Sequence, residues 1–428
     1  MEELGEKMYS WAKDLFPINR SITGPGVRET LAYLSDLMPD LQIFSIPTDT
    51  VAFDWVVPKE WSVHDAFIAD EQGNRIVDFK KCNLHLVGYS EPVDKWLNLD
   101  ELDNFLYSSP EQPDSIPYVT SYYQKRWGFC LSHNLRKSLQ PGNYHVFIDS
   151  NLYSGVLNYG EVILPGHESK EILLSTYICH PSMANNELSG PVVTTALAQW
   201  LKSQNNLRYT YRICFIPETI GAIVYLSLNA ERMKNNTIAG FILTCVGDNK
   251  SYSFMPSRKG ETLADRVAQL ILNTDIKHYN KYSFLDRGSD ERQYCSPLID
   301  LPVVSIMRSK YGTYPEYHTS LDDLNFISPE GLYGGYLVNQ KCIIALEKNF
   351  KYRATTIGEP KMDKRGLRPT MGAPKQLDQN IRDMMNFLMY SDGNTDLIQM
   401  AEITGINIIK CAEIAETCLT SGIVERVD

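Results

Sequence analysis

Tyr177-Ile178-Cys179-His180-Pro181-Ser182-Met183-Ala184-Asn185-Asn186-Glu187-Leu188-Ser189-Gly190 decides how the chain is read, because it sets metal-ligand side chains between an apolar strand and a helix start. The run 172–178 is apolar and β-rich. After the motif, Val192, Val193, Ala196, Leu197, Trp200 and Leu201 recur at helical spacing. Ser189-Gly190-Pro191 is therefore expected to open a helix, with a serine cap and proline in the first turn. His180 falls where the strand stops. In open α/β sheets ligands bind beyond the carboxyl ends of the strands, which gives this histidine a positional reason to carry chemistry.

Downstream the same alternation continues. Strands are expected over 211–216, running into Pro217-Glu218, over 238–246, running into Gly247-Asp248, and over 303–307. Helices are expected over 192–202, 263–272 and 329–347, with His318 in the loop before the last. This pattern predicts an α/β fold: a mixed, largely parallel sheet with helices on both faces. Upstream, the first 39 residues read as helix, broken by a loop around Asn19-Arg20-Ser21-Ile22-Thr23-Gly24. From about residue 50 the texture turns to short strands, with 66–68 and 76–79 flanking the turn Glu71-Gln72-Gly73-Asn74, and further strands at 84–87 and 145–148.

Three parts are expected: an α/β domain over 1–49 and 158–358, a small β-rich domain inserted at 50–157, and a linker plus winged helix over 359–428. The linker is the Gly-, Pro- and base-rich stretch 361–374. In the last part, Gly405 turns the chain between a short helix over 397–403 and one striped by Ile408, Ala412, Ala415 and Leu419; a strand starts at Ser421-Gly422-Ile423-Val424. Its second helix sets Lys410 against Glu413 and Glu416, a poor charge pattern for reading DNA. Packing, protein contact or homo-oligomer formation suits it better.

Composition narrows the function. A chain of 428 residues with 43% hydrophobic content can bury more than one core, and its net charge of -11 repels nucleic-acid phosphates and anionic membranes. Nine scattered cysteines without a CxxC pair read as reduced thiols of a cytoplasmic protein. No apolar stretch reaches the roughly 20 residues needed to cross a bilayer.

Zinc prefers imidazole nitrogen and carboxylate oxygen, and a catalytic zinc keeps three protein ligands and one open position. His180, His318 and a carboxylate near Asn186-Glu187 would make such a set. Glu218, held nearby without ligating, would act as the general base. Each residue has a plainer alternative: a hydrogen-bonded structural histidine, a loop-capping glutamate, or, for Asp248 and Asp290, a turn-forming aspartate. Asn186, Asp248 and Asp290 are expected to contact substrate, and Arg20 would anchor a substrate carboxylate or phosphate, or else pair with a core acid. Tyr118, Tyr122, Tyr123, Trp127 and Phe129 would form a stacking wall for sugar rings, or the core of the inserted domain.

At this point the chain resembles the zinc aminopeptidases. More closely, and over nearly its whole length, it resembles a group of aminopeptidase-like proteins often linked to polysaccharide biosynthesis, which carry an inserted β domain and a C-terminal winged helix. The resemblance rests on Arg20-Ser21-Ile22-Thr23-Gly24, Tyr118-Val119-Thr120-Ser121-Tyr122-Tyr123, Arg126-Trp127-Gly128-Phe129-Cys130, the run His180 to Gly190, Ile216-Pro217-Glu218-Thr219-Ile220-Gly221, Gly288-Ser289-Asp290-Glu291 and Tyr317-His318-Thr319. It implies an amide hydrolase acting on a small peptide or a glycan-derived substrate.

The departures matter. Two-zinc aminopeptidases bridge their metals with an aspartate where this chain has Asn186, and have a second glutamate where it has Thr219. Their aspartate after the third strand matches Thr244 or its neighbour, with Asp248 displaced. A neutral amide does not bridge two divalent cations, so the resemblance with these departures implies one zinc ion, held by His180, His318 and Glu187, with Asn186 competing for the third place. Loss of these acids leaves open a metal-containing saccharide- or protein-binding module without turnover, while Glu218 argues for catalysis. A transcription regulator is the third reading, carried by the C-terminal segment alone.

Overall fold

A computed structural model describes residues 2–367 and 379–427, so part of the expected linker 361–374 lies outside the described residues. The described chain divides into two compact units, Met1–Asp265 with Tyr279–Leu337, and Arg266–His278 with Val338–Asp428.

The first unit is built on an eight-stranded mixed sheet. Its order is Gln42–Pro47, Val156–Leu164, Tyr209–Ile216, Glu168–Tyr177, Thr237–Ile242, Val303–Met307, Ser253–Met255 and Asn280–Lys281. The central four strands, from Tyr209–Ile216 to Val303–Met307, run parallel, and antiparallel neighbours flank them. Every residue of the central strand from Glu171 to Tyr177 is buried. Since successive side chains point to opposite faces, both faces of the sheet are covered there. The helices Ser189–Ser203 and Ile220–Asn236 pack on this strand, and the N-terminal helix Glu2–Leu15 packs in turn on Ser189–Ser203.

The helix start differs from the sequence reading. A π-turn, Ala184–Leu188, precedes the helix, and Ser189 caps nothing. Its hydroxyl donates to the Asn185 carbonyl at 2.5 Å and accepts from the Val246 amide at 2.9 Å. The cap comes from far along the chain, where Asp322 accepts from the amides of Asn185 (2.6 Å) and Asn186 (2.9 Å). Gly190 is required by close approach: a Cβ there would lie 2.2 Å from the Leu243 carbonyl oxygen and 2.3 Å from Thr176 Oγ1.

A second sheet, antiparallel, joins Arg75–Asp78, Glu60–Ala69, Asn143–Tyr153 and Val93–Asn98. The strand expected at 84–87 is instead a 3-10 turn, Asn83–His85, followed by a single bridge from Leu86 to Phe129. Leu84 and Leu86 are buried by that turn, so their alternation reflects packing without a ladder.

In the second unit Asp396 caps the helix Leu397–Thr404, Gly405 turns the chain at φ 70°, and Asn407 caps the helix Ile408–Thr420. A three-stranded sheet of Asp392–Asp396, Lys351–Ala354 and Val424–Val427 completes a winged helix. Lys410 is paired with Asp383. Among the described residues no helix is long and apolar enough to cross a membrane.

Gly190→Ala should lower stability by about 1–3 kcal/mol, since the added methyl meets backbone at the centre of the sheet. Urea denaturation measures this; an unchanged midpoint would mean that the contact relaxes freely.

Candidate active site

Two of the three strand ends meet. His180 Nε2 lies 3.5 Å from Glu218 Oε2, and His180 Nδ1 is 2.9 Å from Glu187 Oε2. Glu187 is wholly buried, and its other oxygen sits 3.3 Å from Arg20 Nε. That Nε donates to the His180 carbonyl at 2.9 Å, while Arg20 Nη1 donates to the Leu15 carbonyl at 2.8 Å. Arg20 is only 1% exposed. The expectation that it binds substrate is therefore corrected: it is the buried partner of a core acid, and it ties the first loop to the histidine.

Burial opposes the His180 imidazolium, but Cys179 and Glu187 outweigh it and hold its pKa well above the ordinary histidine value. Burial pushes the Cys179 thiol itself up to about 11. A proton held on Nδ1 toward Glu187 leaves Nε2 facing Glu218.

Glu218 is positioned by strain. Thr219 has φ 62° and ψ -77°, and the Ile220 amide donates to the Glu218 carbonyl at 2.8 Å, closing a γ-turn around a β-branched residue. Three contacts hold it. Asp290 Oδ1 accepts from the Thr219 amide at 2.7 Å, Arg292 Nη2 donates to Thr219 Oγ1 at 2.9 Å, and Ser289 Oγ donates to Glu218 Oε1 at 2.9 Å. Burial raises the Glu218 carboxyl above the usual glutamate value against the pull of His180 and Ser289. Asp290 is raised well above its usual value by burial and then by Glu218. At 1% exposure Asp290 positions the turn, a correction of its expected contact with substrate.

Asp248 is corrected too. Its oxygens accept from the Asn185 amide nitrogen (3.0 Å), the Ser309 amide (2.8 Å) and hydroxyl (2.9 Å), and the Lys250 amide (2.8 Å), so it is a turn and brace with its acceptors engaged.

His318 lies beside His180, ring centroids 5.4 Å apart, and Tyr118 closes the triangle at 5.5 Å and 5.2 Å. Its φ is 56°, and its carbonyl accepts from the Tyr118 amide at 2.8 Å. Burial and the charge of His180 push its pKa down to about 3, leaving a neutral imidazole. Its Nε2 is buried without a hydrogen-bond partner, and so is Asn186 Oδ1, whose Nδ2 donates to Tyr177 at 2.7 Å. Among the described residues, the group of His, Cys, Asp and Glu whose ligand atoms lie within 4.8 Å of one another is Cys179, His180 and Glu187. The expected set is thus divided: Glu187 joins His180 at Nδ1, and His318 stands outside that group.

Ser289, Arg292 and Asp322 were missed as site residues, and Tyr118, expected in a stacking wall or a domain core, instead stands against the two histidines. Arg292 directly follows the Gly288-Ser289-Asp290-Glu291 motif, the one signal that could have drawn attention to it.

Residues 9–349 match the model of a family described as a domain of unknown function, DUF4910, and residues 350–426 that of a winged helix-turn-helix. A "Putative polysaccharide biosynthesis protein with aminopeptidase-like domain" from Clostridium acetobutylicum is 40% identical over 405 residues, 94% of this chain and 92% of the relative. A crystal structure of a "putative peptidase" from Clostridium acetobutylicum superposes with a TM-score of 0.94 at 38% identity, covering 100% of this chain and 97% of that one. A zinc aminopeptidase from Bacillus subtilis shares the fold at 14% identity, with a TM-score of 0.57 over 80% of this chain and 94% of its own.

Arg20→Ala should destabilise the fold by about 3–5 kcal/mol by leaving Glu187 buried and unpaired. Adding Glu187→Gln should recover part of that loss in a double-mutant cycle read by denaturation. Strictly additive losses would refute the pairing.

Proposed function

Because the chain belongs to the DUF4910 family and has an aminopeptidase-like fold with a C-terminal winged helix, we propose that it is an amide hydrolase whose general base is Glu218. The observation that carries this reading is the placement of Glu218 Oε2 3.5 Å from His180 Nε2 at the strand ends, with Oε1 held by Ser289. A carboxyl raised by burial is suited to taking a proton from water and returning it to a leaving amine.

The donor set fits one cation. His318 Nε2 and Asn186 Oδ1 are buried acceptors with nothing donating to them, and His180 Nε2 is turned away from Glu187. In our reading His180, His318 and Asn186 hold the ion, and Glu187 orients His180 in place of the ligand role expected from the sequence. The Nδ1 side, with Cys179 and Glu187, is less suited because the Arg20 guanidinium already occupies it. Zinc is the ion we propose, from two imidazoles and an oxygen; when bound it polarises a carbonyl and acidifies water.

The chain's own residues do the rest. Glu218 takes the proton of the attacking water, Ser289 fixes its carboxylate, and Tyr118 walls the two histidines. The substrate we propose is an amide of a peptide or a glycan precursor, the latter favoured by the printed name of the Clostridium relative. The neutral residues Asn186 and Thr219 support the rival reading, a binding module without turnover.

Glu218→Gln should keep the metal content measured by elemental analysis. Hydrolysis of aminoacyl chromogenic substrates or N-acetylated sugars should fall by about 10²–10⁴-fold. A wild-type protein that binds metal yet cleaves neither class, or a variant with full activity, would refute the base.

A further inference from the structure

We infer that a cavity beside the candidate active site binds a neutral saccharide, walled by Tyr122 and Tyr123. Its volume is about 480 Å³, within the range of small-ligand sites. One extended segment connects it to the histidines: Pro117 bridges Thr319, the Tyr118 amide donates to the His318 carbonyl, and Thr120 bridges Gly88. A few residues on, Tyr122 and Tyr123 line the cavity.

Its aromatic rings are braced in place. Tyr122 is 36% exposed and meets the Tyr89 ring edge-on at 5.8 Å, and Tyr89 stacks on the buried Trp61 at 5.6 Å. Tyr123, 52% exposed, donates its hydroxyl to the Val56 carbonyl at 2.7 Å and lies 6.5 Å from the Trp55 ring. Exposed aromatic faces held this way offer rigid apolar area at low entropic cost, which matches the C–H face of a pyranose ring.

The polar lining selects among ligands. Asp49 and Glu91 balance Lys59 and Lys125, so the cavity carries no net charge to attract an anion or a cation. The side chains of Gln124 and Asn151, also lining it, make no hydrogen bond within the described residues and are free to meet hydroxyls. Aromatic faces, free amides and balanced charge together describe a site for a neutral, polyhydroxylated ring. That this ring belongs to the substrate rests on the amide-hydrolase reading above; the binding itself does not.

The test is titration of the full chain with cellotriose and triacetylchitotriose, followed by calorimetry and saturation-transfer NMR. Wild type and Glu218→Gln should bind at least one trisaccharide equally. Tyr123→Ala and Gln124→Ala should each weaken binding about tenfold. Tyr123→Phe, which keeps the ring and loses only the bond to Val56, should stay within about twofold of wild type. No binding by wild type, or unchanged affinity in both alanine variants, would overturn the proposal. Saccharide binding without hydrolysis by any variant supports the cavity and removes the Glu218 reading, whereas hydrolysis without saccharide binding does the reverse.

Discussion

The buried ion pair between Arg20 and Glu187 is the constraint on which the site depends. Glu187 has no exposure to water, and a carboxylate there is tolerated only with a compensating charge and hydrogen-bond donors. Arg20 supplies the charge and His180 Nδ1 the donor. The pair joins three stretches of chain: the first loop, the end of the central strand and the π-turn. Because Arg20 also donates to the carbonyls of His180 and Leu15, the N-terminal helix cannot shift without disturbing the histidine. One electrostatic need thus fixes both the backbone around the site and the ring orientation within it.

Around this fixed point the backbone is bent away from its preferred conformations. Thr219 and His318 both have positive φ, at a cost of order 1–3 kcal/mol each. Each outlier is over-determined. Asp290 and Arg292 grip Thr219 by its amide and its hydroxyl, and Tyr118 binds the carbonyl of His318. The strain is located where Glu218 and His318 must leave the regular path of their loops to stand beside His180. Packing from the sheet alone would not aim them there, since both follow strands through turns.

What could be read from the sequence follows from what is local. Strand and helix positions depend on runs of apolar residues at fixed period, and the strand Val303–Met307 and helix Pro329–Glu347 fall where the pattern puts them. His180 and Glu218 were legible because each closes such a strand. Asp248 closes one too, but Gly247-Asp248-Asn249-Lys250 is a turn sequence, and the aspartate is taken by the Lys250 amide and Ser309. The π-turn and its Asp322 cap were not legible, since a partner 137 positions away leaves no periodic trace. Arg20 could be narrowed to two roles but no further, because whether a lone arginine faces solvent or a core acid depends on tertiary burial.

The distribution of charge favours one cation over two at the proposed centre. Of the carboxylates near His180, Glu187 is neutralised by Arg20, and Glu218 faces the histidine itself. Asp290, its carboxyl raised well above the usual aspartate range by burial and by Glu218, is engaged by the Thr219 amide. Two positions at which the resembled two-zinc enzymes carry acids are the neutral Asn186 and Thr219. Two divalent cations a few ångströms apart repel strongly in a buried site unless carboxylates lie between and around them. With few unneutralised carboxylates at hand that repulsion would go uncompensated, whereas one ion on the proposed imidazole and amide ligands would leave Glu218 free of the metal and able to move a proton.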